Sequence, residues 1–209
     1  EVQAEALVRD IGGYSRLLDL AAASSGRVIN LQALSRDAAV SYETARRYLD
    51  VLEDTLILFR IPAWSGSDRA SLVAHPKVLL FDLGVRNAIL RRPLDRPLDD
   101  ERGLLLEHLV GLELRRREGT IWPEARLQHF RTRRGAEIDF VLSVGRDLWA
   151  IEVKASRRVD ARDLKGLEAF VERAGKVARR IVVFLGVRSQ RIDGVDVLPL
   201  DEFLAELPG

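Results

Sequence analysis

The stretch GAEIDFVLSVGRDLWAIEVKAS, residues 135–156, holds the strongest structural signal in the chain. Glu137 to Ser143 and Leu148 to Ala155 are rich in β-branched and aromatic residues, and Gly145-Arg146-Asp147 between them is turn chemistry. The pattern predicts two antiparallel strands joined by a tight turn. In the first strand Ile138, Phe140 and Leu142 take one face and Glu137, Asp139 and Val141 the other. In the second, Ile151, Val153 and Ala155 share a face, which leaves Glu152 and Lys154 together on the opposite one. Asp139 precedes Glu152 by 13 residues, so side-by-side pairing is expected to bring the two carboxylates together with Lys154 beside them. Each residue alone has a plain explanation: an edge-strand acid facing water, or a solvated surface ion pair. The combination is the informative feature.

Working outward, Glu101 to Arg117 predicts a long helix, with Glu107 at the margin of a stripe made by Leu104, Val110, Gly111 and Leu114. Leu127 to Arg131 predicts a strand before the hairpin. Val159 to Arg173 predicts a helix after it, then strands at Arg180 to Leu185 and Val195 to Leu198 and a final helix capped by Asp201. The order is α-β-β-β-α-β with a short β and α appended. Before this, Leu7 to Ala23, Leu31 to Ala39 (capped by Asn30) and Tyr42 to Asp54 (capped by Ser41) read as helices. Leu56 to Pro62 and Val73 to Phe81 read as strands with a turn at Trp64 to Ala70. Asp82 to Arg91 is helical and Arg92 to Pro97 a loop. Three helices and a β-hairpin are the order of a winged helix-turn-helix. The expected fold is therefore α/β, with a mixed sheet over 81–209, preceded by a mostly helical winged helix-turn-helix domain over 1–80.

Composition bounds the function. The 33 Lys+Arg balance 32 Asp+Glu, so any nucleic-acid contact has to come from local patches. The chain has no Cys, which excludes disulfides and thiolate zinc sites and fits a reducing compartment. No apolar run approaches the roughly 20 residues that span a bilayer, and no signal peptide is visible. A cytoplasmic protein is expected, without a membrane partner. Methionine is absent even at position 1, which suggests a C-terminal fragment of a longer protein.

A hard divalent cation such as Mg²⁺ (or Mn²⁺) takes oxygen ligands, commonly two carboxylates plus water and a substrate phosphate. Asp139 and Glu152 suit that role. Lys154 beside them can orient or deprotonate an attacking water or neutralise developing charge. Glu107 can complete or orient the site.

This set resembles the PD-(D/E)xK nuclease superfamily, through the element order, Glu107 in the first helix, Asp139 in RGAEIDFVL, and Glu152 and Lys154 in AIEVKAS. More narrowly, the chain is similar to the C-terminal region of a family of uncharacterised bacterial and archaeal ATPases. These carry an AAA+-type P-loop module, a winged helix and a nuclease-like domain of unknown function. The segments that carry this likeness are SYETARRYLDVLED, KVLLFDLGVRNAIL, GLLLEHLVGLEL, HFRTRRGAEIDFVL and AIEVKAS. The resemblance implies a restriction-endonuclease-like sheet over 81–209, Asp139, Glu152 and Glu107 as the acids of a metal site, the Val153 carbonyl as an extra ligand, and Lys154 as the water-positioning residue. No Walker motif occurs, so ATP enters only through a missing N-terminal ATPase module.

DNA is the expected partner. Arg131, Arg133 and Arg134 precede the Asp139 strand, and Arg157 and Arg158 follow Lys154, where a phosphate backbone would pass. Arg46 and Arg47 lie on the candidate recognition helix. Against that docking, residues 1–80 hold 9 Lys+Arg and 10 Asp+Glu, which favours a lid or protein-packing role. The leading expectation is Mg-dependent hydrolysis of DNA phosphodiester bonds. The alternative is a non-catalytic DNA- or protein-binding regulatory module of the ATPase with an idle nuclease fold. A homo-oligomer stays open.

Overall fold

The computed structural model describes residues 10–65, 72–93, 95, 98 and 100–208. The first residues of the expected opening helix, most of the turn running to Ala70, and parts of the Arg92–Pro97 loop lie outside them. The chain divides into two compact units. One comprises residues 1–60 and 75–99, the other residues 61–74 and 100–209.

The first unit contains α1 (Ile11–Ala23), α2 (Leu31–Asp37), α3 (Tyr42–Asp54) and α4 (Leu83–Ile89), with a two-stranded sheet of β1 (Leu58–Ile61) and β2 (Lys77–Leu80). Four side-chain caps set the helix starts. Asp10 accepts from the Gly13 N–H, Asn30 from Gln32 and Ala33, Ser41 from Thr44, and Asp82 from Val85. Each occupies donors that the first helical turn otherwise leaves unpaired. Leu17, Ala21, Ala45, Tyr48, Leu49 and Leu52 form the core of this unit together with Leu58, Val78 and Leu80.

The second unit is built on a six-stranded mixed sheet, ordered β3-β4-β5-β6-β8-β7. Its strands are β3 (Arg126–Arg131), β4 (Glu137–Val144), β5 (Asp147–Lys154), β6 (Arg179–Phe184), β7 (Gln190–Ile192) and β8 (Val195–Pro199). β3, β4 and β5 form an antiparallel meander. β5, β6 and β8 run parallel, and β7 closes the far edge antiparallel to β8. The helices are α5 (Arg102–Arg117), α6 (Lys165–Ala174, entered through a 3-10 turn at Ala161–Leu164) and α7 (Leu200–Glu206). The mixed α/β class and the element order agree with the sequence reading. β7 was not expected, and Asp201 is no cap: it lies inside the first turn of α7, whose N-cap position is held by Pro199 with no side-chain bond.

One face of the sheet is covered by α6. Leu164, Leu167 and Phe170 pack there with Phe130, Ile138, Val141, Ala150, Val182 and Val197. The start of α6 approaches very closely: a Cβ on Gly166 would collide with the Glu137 carbonyl. α5 lies on the opposite face, where a Cβ on Gly103 would stand 4.0 Å from that of Ala155.

Two findings correct the sequence reading. First, β4 carries a bulge. Gln128 pairs with Val141 but Phe130 pairs with Ile138, so one extra residue is accommodated at Asp139-Phe140. Strict alternation therefore breaks, and Ile138 and Val141 enter the same core. Second, Trp64 is not part of a free turn. Ala63 bridges His129, Leu72 bridges Thr132, and the Trp64 ring packs edge-on against Phe130 and Phe170 at 6.1 and 5.0 Å. Pro62, Trp64 and Val73 thereby exchange backbone hydrogen bonds with His129 and Arg131 on the outer edge of β3, satisfying groups that an edge strand exposes.

Candidate functional site

The ladder between β4 and β5 is registered from Val144–Asp147 as far as Phe140–Ile151. One step further, the same register sets Asp139 across from Glu152. Here the N–H of Val153 donates to Asp139 Oδ2 at 2.8 Å. The bulge thus places an acid where the strands begin to part, and its carboxylate takes over a backbone donor.

Glu152 lies opposite Val182 of the parallel neighbour and its side chain is only 10% exposed. Oε1 accepts from Lys154 Nζ at 2.7 Å. Oε2 is buried and has no hydrogen-bond partner among the described residues. Burial, and next the charge of Asp139, push the Glu152 carboxyl up to about 8, against the downward pull of Lys154; Glu137 adds repulsion. For Lys154, 31% exposed, burial works to lower the ammonium, yet the charges of Glu152, Asp139 and Asp163 outweigh it and the net shift is upward. The two partners of one ion pair thus both lie above their ordinary values. Enclosure explains the acid: one ammonium does not offset burial and a second carboxylate.

A buried carboxylate oxygen without a partner is costly. Next to a second carboxylate it has the character of a cation site. Asp139 and Glu152 fit Mg²⁺ or Mn²⁺, which bind through one or two carboxylates and keep several waters. Among the described residues, no group of three or more His, Asp or Glu side chains gathers closely enough to hold an ion. Glu107 is half-buried on α5, the helix of the other sheet face. The structure therefore brings Asp139, Glu152 and Lys154 together, without drawing Glu107 into an acidic triad with them. Glu137, which the sequence reading left out, does act on Glu152.

The expected basic residues fall into two groups. Arg131 ends β3, with its Nε 3.7 Å from Glu137. Arg133 and Arg134 are exposed in the β3–β4 turn, and Arg157 is exposed just past β5. Because β4 starts and β5 ends at the same end of the sheet, these four lie at the end that holds Asp139 and Lys154. In the first unit, Arg46 and Arg47 are exposed on α3. Arg46 is held by Glu43 at 2.9 Å, and the Arg47 guanidinium stands over the Tyr48 ring at 5.8 Å. No helix among the described residues is long and apolar enough to cross a membrane.

Comparison with known proteins gives two family models and two curated relatives. A model described as "Domain of unknown function (DUF4143)" matches residues 102–203, the chain from α5 into α7. A second, "Domain of unknown function (DUF8612)", matches residues 1–96. Uncharacterized proteins of Mycobacterium tuberculosis and Mycobacterium bovis are each 27% identical over 190 residues, covering 86% of this chain. The chain spans 40% of the length of these relatives. It is thus similar, over most of its length, to one part of larger mycobacterial proteins, and the two family models meet near the junction before α5.

Proposed function

We propose that the second unit is a Mg²⁺- or Mn²⁺-dependent nuclease domain with a restriction-endonuclease-like sheet, hydrolysing DNA phosphodiester bonds. The observation that carries this reading is the buried, unpartnered Oε2 of Glu152, set beside Asp139 and an ammonium. A bound divalent ion would supply Lewis-acid polarisation of a phosphoryl oxygen and a more acidic water. Asp139 and Glu152 would hold it, Glu152 giving up its proton to do so. Lys154, anchored by Glu152, would orient the attacking water or balance charge on the phosphoryl oxygens. Glu107, on the helix of the other sheet face, takes no part in holding the ion.

The first unit is proposed as a winged helix. Its support is the order α1-α2-α3-β1-β2 and the bridge from Val28 to Lys77, which adds a third short extended segment beside β2. With Arg46 already paired, protein packing suits α3 better than DNA docking. An AAA+-type ATPase module, with its ATP, is proposed for the remainder of a longer protein like the mycobacterial relatives.

Incubating supercoiled and linear DNA with Mg²⁺ or Mn²⁺ tests the reading. Asp139→Ala and Lys154→Ala are expected to lower cleavage at least 100-fold. Equal nicking by wild type and both variants refutes it. One observation favours a second reading, a non-catalytic regulatory module: the Lys154 ammonium is already engaged by Glu152. Calorimetric Mg²⁺ binding without cleavage would support that alternative.

A further inference from the structure

β5 and β6 run parallel, and Lys154 stands in register with Phe184. Both strands therefore leave the sheet at the same end, and the Leu185 N–H donates to the Ser156 carbonyl at 3.1 Å, tying the two exits together. Beyond that tie opens a cleft of about 360 Å³. Its floor is apolar, with Val159 and Phe184 8% and 3% exposed. Its walls carry Arg157, Arg158 and Arg188, all exposed.

These three guanidiniums differ from several others in the unit. Arg116, Arg131, Arg162, Arg179 and Arg191 each stand within ion-pair reach of an acid. Arg157, Arg158 and Arg188 have no side-chain hydrogen bond or ion pair among the described residues. The nearby acid, Asp160, is committed to Arg162 at 2.8 Å. A general surplus of arginine does not explain why three unpaired ones line one concavity. The loop passes tightly against the cleft floor: a Cβ on Gly186 would overlap the Phe184 ring.

We infer that this cleft is a phosphate-binding subsite for a nucleic-acid strand, continuous with the carboxylate pair. Planar guanidiniums match phosphate oxygens in bidentate geometry. Three of them without acids are a stable arrangement when an anion lies between them. The location favours nucleic acid over an acidic peptide. Arg157 follows Lys154 by three residues, at most about 10 Å of extended chain, so a strand with one phosphate at Asp139 and Glu152 reaches the cleft with a neighbouring phosphate. The inference rests on the proposed nuclease reading for its choice of ligand, but it is testable apart from cleavage.

The experiment is fluorescence anisotropy of a labelled single-stranded oligonucleotide with the full chain, in EDTA, over a series of salt concentrations. Arg157→Gln/Arg158→Gln/Arg188→Gln is expected to weaken binding at least tenfold. It should also reduce the slope of log K against log salt by about 2, since each single-strand phosphate contact contributes about 0.7. Arg116→Gln/Arg162→Gln/Arg191→Gln removes the same charge from paired arginines and should stay within twofold of wild type. Circular dichroism checks that both variants fold. Equal weakening by the two triples, or an unchanged slope in the first, overturns the subsite. So does displacement by poly-glutamate as effective as by unlabelled oligonucleotide. A 5′-phosphate preference that disappears in the first triple identifies a terminal monoester as the source; equal binding of 5′-phosphate and 5′-hydroxyl strands identifies an internal diester. Arginine-dependent binding without any Mg²⁺-dependent cleavage refutes the nuclease reading and leaves the subsite standing.

Discussion

Replacing Glu152 by Gln should stabilise the metal-free protein, and increasingly so as pH rises. The folded carboxyl titrates at about 8 against an ordinary value of 4.5. Between those values the unfolded chain has already released the proton that the folded carboxyl retains, so raising the pH favours unfolding. The cost is absent below pH 4.5, grows through the window, and levels off above about 8. At roughly 1.4 kcal/mol per unit, it amounts to about 3 kcal/mol at pH 7 and about 5 kcal/mol at pH 9. Glutamine keeps the shape, cannot ionise, and retains an acceptor for Lys154. The assay is urea unfolding in EDTA at half-unit steps from pH 5 to 9, for wild type and Glu152→Gln. The two stabilities should nearly coincide near pH 5 and diverge by a few kcal/mol at pH 8. Asp139→Asn, which removes the neighbouring charge, should narrow that gap by lowering the Glu152 carboxyl. Parallel curves for wild type and Glu152→Gln would mean that Glu152 is ionised in the folded protein at little cost, and the electrostatic account of the site would fail.

Three further outcomes follow from other parts of the molecule. Mg²⁺ binding should release close to one proton per ion at pH 7, because the ligand must ionise; calorimetry in buffers of differing ionisation enthalpy measures this, and no release contradicts the raised Glu152. Gly166→Ala should destabilise by about 1–3 kcal/mol through collision with the Glu137 carbonyl, seen as a lower urea midpoint; an unchanged midpoint would mean that α6 can shift freely. Ser41→Ala should cost about 1 kcal/mol by removing the cap on Thr44, read by thermal unfolding, with Ser41→Asp restoring it.

The legible parts of the fold were those governed by local rules. Asn30 and Ser41 precede helices because a short polar side chain reaches the next free N–H, and both caps appear as read. The pairing of Glu152 with Lys154 follows from strand period alone. What was missed depends on partners distant in sequence. The bulge at Asp139-Phe140 is a mismatch with β3 and leaves no mark in β4 itself. Trp64 looked like a turn residue because its packing partners, Phe130 and Phe170, come more than 60 residues later. β7 is three mostly exposed residues, too short and polar for any apolar alternation. Arg188 became relevant only once the parallel pairing of β5 with β6 brought its loop beside Arg157 and Arg158.

The docking of Ala63, Trp64, Leu72 and Val73 onto β3 and its end has a consequence for biogenesis. This short segment leaves the ribosome before β3 exists, and has to wait through the synthesis of roughly 60 residues before Phe130 and His129 arrive to receive it. Closing such a long loop carries an entropic penalty that local helices do not, so the second unit should mature late and in one concerted step. A severed version starting at residue 81 or 100 would lack that strap, leaving the edge of β3 open to self-association.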